Sequence, residues 1–514
     1  MIVSVCILAS VFCVSVFAAE TDDKPAPAPA PANGVVLRIS AEKNGKKYPV
    51  VVEDHTNFED GWNAAMKLAA DFKALNTKGY KRVIVDIYSD WKAVDGEFSD
   101  DLFNGKGFNW DTIYFPSKVN VTLNLNGHTV DRGLTAYQYN GEVMYVDSKA
   151  NITINNGTIK GGWSCNGAGG IHINDGANVT LNNVNLKGNT VEDDDGAAIA
   201  VYGGATLTMN GGTISENIVY NTTAAYITTI GKVSRGVLYA QDANVYLKDV
   251  TFDKNVAKNI SIEGLVAYFV RSTVVMDGCT VQNNGFSSKS EKYVTPTSYI
   301  YSNTSLDLKI KNTAFFNNGN SDRVIEDTES DLTSLMCFEI GSMAPDAYIA
   351  IENCNITYNK MDRIFDLGEV VLSMKDSTVT DNIANVAAFY HTETYFIRPS
   401  SNYTFENCTF NNNNPINDTN HLAASNQGTF CIKDEKIGKV TFNKCEFGDA
   451  TFVNKQFATF KDSSITNVGS IFNEGSVTML MTITALVASV ASITLTVVYN
   501  KKKKAVAVNN DNEK

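Results

Sequence analysis

The sequence predicts an all-β chain: a parallel β-helix of about eleven coils, with an α/β cap at its N-terminal end and one transmembrane helix beyond its C-terminal end. Three observations predict it. First, a three-residue strand with apolar first and third residues recurs eleven times, at Ile152–Ile154, Val179–Leu181, Leu207–Met209, Val245–Leu247, Val274–Met276, Leu308–Ile310, Ile349–Ile351, Leu372–Met374, Tyr403–Phe405, Val440–Phe442 and Ala458–Phe460. Second, five residues after each strand stands another apolar residue, running Ile159, Leu186, Ile214, Phe252, Val281, Phe315, Ile356, Val379, Phe410, Phe447 and Ile465. Third, three residues further on, eight of the eleven coils carry Asn, at Asn189, Asn217, Asn255, Asn284, Asn318, Asn359, Asn382 and Asn413. Strict two-residue alternation excludes a helical solenoid, whose apolar spacing would follow 3.6 residues per turn. The distance between ladder positions varies from 23 to 41 residues, as fixed strands joined by variable loops require.

An Asn that recurs at one phase predicts an internal ladder. Its amide donates to one neighbouring coil and accepts from the other, satisfying turn groups that would otherwise cost ~1 to 3 kcal/mol each. Three residues after each strand runs a column of small or β-branched residues, Gly157, Val184, Gly212, Val250, Cys279, Thr313, Cys354, Ser377, Cys408, Cys445 and Ser463. These fit the inside of a narrow tube, and coils stacked at ~4.8 Å make a rod roughly 50 Å tall.

In chain order, residues 1–18 read as a signal peptide, with an apolar run and the small-x-small pattern Val16-Phe17-Ala18 before the cut. Residues 19–34 form a Pro/Ala-rich linker. Residues 35–108 are the cap that shields the open edge of the rod: a strand pair within Val35–Val52, an amphipathic helix over Phe58–Leu75 with Trp62, Ala65, Met66, Ala69 and Phe72 on one stripe, and a strand at Val83–Tyr88. The β-helical ectodomain is expected over 109–475, its first coil lying within Phe108–Gly133. Residues 477–499 hold no charge and are long enough to span a bilayer, and the basic tail at 500–514, opening on Lys501–Lys504, places that end in the cytosol and the ectodomain outside.

At 514 residues the chain exceeds what one compact core supports, which independently favours an elongated body. Its net charge of -13 argues against a nucleic-acid partner. Eleven Asn-x-Ser/Thr sequons, at Asn120, Asn151, Asn156, Asn178, Asn221, Asn259, Asn303, Asn355, Asn402, Asn407 and Asn417, would make a eukaryotic surface protein a glycoprotein. Removal of the signal leaves seven Cys, an odd number that speaks against a disulfide framework.

Gly169-Gly170-Ile171, Gly196-Ala197-Ala198-Ile199 and the Phe-x-x-Asn runs at Phe252–Asn255, Phe315–Asn318 and Phe410–Asn413 resemble the GGA(I/L) and FxxN repeats of polymorphic outer-membrane protein-like adhesins. These belong to the wider pectin-lyase-like superfamily of right-handed parallel β-helices. The resemblance covers about Asn109–Asn473 and implies a right-handed coil and an adhesive role. Surface proteins of this kind in microbial eukaryotes also carry a signal peptide, one C-terminal span and a short basic tail.

Enzymes of the same superfamily need clustered carboxylates with an Arg or Lys base, or two carboxylates flanking a sugar. The densest acidic run is Glu192-Asp193-Asp194-Asp195, which as an extended segment alternates faces and reads as a solvated loop. Arg132 and Arg235 are candidate bases that nothing in the sequence places beside it. His128 and His172 sit in strand-like segments without a carboxylate at matching phase, and read as packing residues; His55, His391 and His421 are isolated. Cys279, Cys354, Cys408 and Cys445 share the small column, in coils taken as non-consecutive, and read as buried thiols; Cys337 and Cys431 lie on strands. No catalytic, cofactor-binding or metal-ligating residue is assigned and no cofactor is expected. The expected function is non-enzymatic adhesion or surface recognition at the plasma membrane, toward a host-cell, matrix, glycan or homotypic ligand. The alternatives are a membrane-tethered polysaccharide lyase or hydrolase and a passive coat protein.

Overall fold

The computed structural model describes residues 33–43, 49–93, 112–220, 234–258, 262–285, 293–294, 298–319, 333–338, 347–368, 370–391, 402–413, 430–431, 439–448, 451–453, 458–464 and 469–471. The signal peptide, the transmembrane segment at 477–499 and the tail at 500–514 lie outside them, as does nearly all of the linker; among the described residues no helix is long and apolar enough to cross a membrane.

The described residues are almost all β, and their strands stack in chain order into parallel sheets, an arrangement that fits a parallel β-helix. All eleven predicted strands fall in one register of the longest sheet, in which Ile152 pairs with Val179, then Leu207, Val245, Val274, Leu308, Ile349, Leu372, Tyr403, Val440 and Ala458. The apolar column five residues on is likewise in register from Ile159 to Phe447; Ile465 lies outside the described residues. A second sheet of thirteen strands runs from Ile113–Phe115 through Met144–Val146, Ile171–Ile173, Ile199–Val201 and Leu238–Gln241 to Gly469–Ile471. A short third sheet holds Trp163–Ser164, Thr190–Glu192, Ile218–Tyr220 and Val256–Lys258 in parallel, and Tyr293–Val294 pairs with the last of these antiparallel.

Each coil turns because one backbone position adopts a left-handed conformation. Two residues after every predicted strand, φ lies between 47° and 68°, at Asn156, Asn183, Gly211, Asp249, Gly278, Asn312, Asn353, Asp376, Asn407, Lys444 and Asp462. Asn, Asp and Gly reach this region at little cost, which explains their hold on nine of the coils before Lys444 and on the last. A second such residue immediately precedes each ladder Asn, from Gly188 to Asn412, and includes Tyr358 at 57°. The Gly-Gly-Ile run has a different cause: a Cβ on Gly169 would stand 2.3 Å from the Thr190 carbonyl oxygen, and one on Gly170 2.3 Å from that of Ala198, so in this coil the passage from the third sheet into the second lays backbone directly on backbone.

The predicted Asn ladder is present and buried. From Asn189 to Asn359 each residue accepts on its Oδ1 from the Nδ2 or backbone N–H of the coil before and donates its own Nδ2 to the coil after. Asn382 continues it by donating to Asn413 at 2.9 Å. Each Nδ2 also reaches a main-chain carbonyl of the preceding coil, such as Asn284 to Phe252 at 3.1 Å and Asn382 to Ile356 at 2.8 Å. All eight Asn are at most 2% exposed.

At the N-terminal end Leu37–Lys43 pairs antiparallel with both Val50–His55 and Tyr80–Ile87, and the last of these lies parallel to Asn120–Asn124, so the cap feeds directly into the longest sheet. The expected single helix is two, Phe58–Ala70 and Phe72–Lys78. Asp71 leaves helical geometry at ψ 80° while its carbonyl accepts from the Leu75 N–H at 2.9 Å, which ends one helix and starts the next. Asn57 caps the first by accepting from the Asp60 N–H at 3.0 Å, and Trp62, Ala65, Met66 and Ala69 lie buried on its inner stripe. One hydrophobic core then runs without a break from Leu37 to Phe447.

Candidate functional site

The acidic run is a packed corner, contrary to the solvated loop expected from its sequence. Glu192 and Asp193 are buried, and Asp193 takes a left-handed φ of 54° that turns the chain between the third and second sheets. Adjacent carboxylates therefore do not alternate along an extended strand. The Glu192 Oε2 accepts from the indole Nε1 of Trp163 at 2.8 Å, and burial raises the Glu192 carboxyl above its ordinary pKa. Arg235 does stand beside this corner. It bridges to Asp195 in backbone register, and its Nη1 lies 3.8 Å from the Asp195 Oδ2. Loop length hid this pairing, because 40 residues separate the partners in sequence and one coil step separates them in space.

Arg132 lies elsewhere, fully buried between the first coils, where it donates to the Gln138 Oε1 at 3.2 Å and faces Glu142. Glu142 is itself only 3% exposed, and burial pushes its carboxyl up to about 8. His172 is held between the rings of Tyr145 and Tyr202, at 4.8 Å and 5.0 Å, and burial lowers its pKa to about 4, so it is a neutral packing residue near pH 7. His128 departs from expectation: its Nδ1 lies 3.3 Å from the Asp90 Oδ1, a carboxylate brought across from the preceding turn. His55 lies 3.3 Å from Glu53, His391 ends the strand Ile383–His391, and His421 lies outside the described residues.

The thiols of Cys279, Cys354, Cys408 and Cys445 donate to main-chain carbonyls of their own and the preceding coil, as the hydroxyls of Thr313, Ser377 and Ser463 in the same column bond to the chain. Burial pushes the Cys279 and Cys354 thiols up to about 11. Cys408 and Cys445 do occupy consecutive coils, since Tyr403 pairs directly with Val440, and this corrects the spacing inferred from sequence. Cys337 and Cys431 sit buried at the outer centre of the second sheet. Cys279, Cys354, Cys408 and Cys445 are thiols outside any disulfide, and among the described residues no three His, Cys, Asp or Glu side chains converge to hold a metal ion.

Two aromatic arrays escaped the sequence reading. The first is a column up the outside of the second sheet, Tyr114, Tyr145, His172, Tyr202, Tyr239, Tyr268 and Tyr301, with successive ring centroids 4.8 to 5.9 Å apart. These rings stack on one another, so their faces are used within the protein. The column is an outer seam. The second array lies on the outside of the third sheet. Gln138 bridges Ser164 in parallel register, which places Tyr137 and Tyr139 on either side of it, one strand above Trp163. Ser164, Val191, Val219 and Ala257 fill the core, so by strand alternation the flanking residues point outward. Tyr137 and Tyr139 are 58% and 55% exposed, and Tyr220 stands at 81° to the Trp163 ring with centroids 6.3 Å apart. The signal in the sequence is Tyr-Gln-Tyr at Tyr137–Tyr139, which fits the strand pattern but has Asp147 where the repeat would place a ladder Asn.

No known protein family, curated protein or solved structure matches the chain.

Proposed function

We propose that this is a cell-surface protein, exported by its N-terminal signal and anchored by the span at 477–499, whose β-helical ectodomain recognises a ligand without catalysis. The observation that carries this reading is the disposal of the acidic corner. Glu192 is bonded to Trp163 and Asp195 is paired with Arg235, so these carboxylates face protein partners. Hydrolysis of a glycosidic bond needs two carboxyl groups aimed at one sugar from roughly 5 to 9.5 Å apart. A lyase needs carboxylates from successive coils around a cation, and the acidic residues at this corner come from a single coil. Exposed aromatics gathered on one sheet face suit recognition instead, and a rod repeats such faces at fixed spacing for weak, multivalent contact. The resemblance to right-handed β-helical adhesins points the same way, and the exposed sequons at Asn151, Asn156, Asn178, Asn303, Asn355, Asn402 and Asn407 suit a glycosylated ectodomain.

The test uses the full chain expressed on cells. Protease added outside should remove the ectodomain and spare a fragment containing Lys501–Lys504, while cells carrying the chain should bind immobilised matrix or glycan and release no unsaturated product from pectic polysaccharide. Product release that disappears when Asp193, Asp194 and Asp195 are changed to Asn would replace this reading with the enzyme.

A further inference from the structure

We propose that the outer face of the third sheet, around Tyr137, Tyr139 and Trp163, is a binding platform for a neutral linear glycan, an inference that rests on the recognition reading above. Three observations converge on it. Tyr137 and Tyr139 are more than half exposed although they lie next to a packed strand, and they stand two residues apart, roughly 6.6 Å at ~3.3 Å per residue. Their side chains therefore leave the same face as neighbours, while Gln138 between them turns inward to Arg132. Exposed rings so arranged offer aromatic faces to solvent, unlike the self-stacked column on the second sheet.

The indole beneath them is held in place. Its Nε1 donates to the buried Glu192 carboxylate, and the Tyr220 ring stands nearly perpendicular to it, so little rotamer freedom remains to be lost on binding. At the edge of the platform the Asn166 Nδ2 donates to the Asn140 Oδ1 at 3.1 Å, which orients two amides beside the rings. Pyranose rings combine an apolar C–H face, which aromatic rings accept, with a rim of hydroxyls, which amides and phenols bond. A protein partner would look for a continuous apolar core, and among the described outward residues of the parallel strands only Ile218 and Val256 supply aliphatic surface. The ligand is neutral because the chain carries a net charge of -13, which disfavours uronates and sulfated chains.

The experiment titrates the purified full-length chain with neutral linear hexasaccharides (cellohexaose, xylohexaose and laminarihexaose), with a high-mannose glycopeptide, and with a hexagalacturonate as the anionic control. Indole fluorescence and calorimetry report binding. At least one neutral probe should bind, and binding of the hexasaccharides or of the glycopeptide tells a polysaccharide ligand from a glycoprotein one. Tyr137→Ala with Tyr139→Ala should weaken that binding tenfold or more at unchanged melting temperature. Trp163→Ala should also weaken binding tenfold or more, with a lower melting temperature because the buried Glu192 carboxyl loses its partner, and Tyr348→Ala with Tyr358→Ala, equally exposed rings on other faces, should change nothing. Glu192→Gln should retain binding through its amide oxygen while Glu192→Ala loses it. Absence of binding to every neutral probe, equal binding of the hexagalacturonate, or wild-type binding by the Tyr137/Tyr139 double variant would each overturn the platform. If that double variant still mediates attachment to cells, recognition stands and only this site falls.

Discussion

One outward column of the longest sheet changes chemistry halfway along the molecule. In the first half it reads Asp86, Asn124, Asn155, Asn182 and Asn210, each amide donating to the residue before it at 2.7 to 2.9 Å. In the second half the same register reads Lys248, Asp277, Lys311, Glu352, Lys375 and Glu406, opposite charges on alternate coils with contacts such as Lys311 to Asp277 at 2.8 Å and Lys375 to Glu406 at 3.9 Å. The core changes too. Ile152, Ile154, Val179 and Leu181 fill the early coils, whereas Phe405, Phe410, Phe430, Phe442 and Phe447 interlock in the late ones, with centroids of 4.8 Å between Phe405 and Phe442. Parallel in-register stacking puts like on like, which an amide tolerates because it both donates and accepts. A charge tolerates it only by alternating in sign. The backbone repeat therefore constrains geometry, and each half meets it with different side chains.

The largest difference should appear in the cores. Phe410→Ala removes a ring packed against five neighbouring Phe side chains and should cost about 3 to 5 kcal/mol, while Ile159→Val in the same column of the early half should cost about 0.5 to 1.5 kcal/mol, read by chemical denaturation. Equal effects would erase the contrast. The next difference is in pH. Glu142 belongs to the early half, and burial raises its pKa from 4.5 to about 8, so the folded state holds a proton that the unfolded state has released. Its stabilising contribution is complete below about 4.5 and is lost as pH rises toward 8. Between pH 6.5 and 8.5, above the range where His172 titrates, the melting temperature should fall, and Glu142→Gln should flatten that slope; an unchanged slope would remove Glu142 from the account. The smallest effect concerns the outward column. Asn182→Ala should cost about 1 kcal/mol at any ionic strength, whereas Lys375→Ala, exposed and screened, should cost at most about 1 kcal/mol at low salt and nothing measurable at 1 M.

What the sequence revealed was the part of the fold that repeats in residue type. The strands, the apolar column and the buried Asn are each selected at one position by one requirement, so they are visible as columns. The left-handed turn two residues after each strand occurs in every coil, yet Asn, Asp, Gly and Lys all occupy it, and variety of residue type concealed a constant backbone. Arg235 beside Asp195, Asp90 beside His128 and Cys408 beneath Cys445 went unseen for a related reason: neighbours one coil apart are separated by loops of unequal length. The exposed pair Tyr137 and Tyr139 lies on a short bridge where the alternation runs the other way, rings outward and Gln138 inward, so residue type alone did not mark it as a surface.

Both halves share one element, the buried Asn ladder, which joins each coil to the next. Hydrogen exchange of the full chain, with and without Asn284→Leu, tests it directly. Asn284 accepts from the Asn255 N–H at 3.1 Å and Nδ2 at 2.8 Å and donates to Asn318 and to the Phe252 carbonyl, so its loss leaves partners on both adjacent coils unsatisfied, at about 1 to 3 kcal/mol each. A continuous ladder predicts faster exchange in peptides covering Phe252–Asn255 and Phe315–Asn318 together, with protection around Ile152–Ile159 unchanged. Identical protection at Asn255 and Asn318 in the variant and the parent would contradict a ladder that joins one coil to the next.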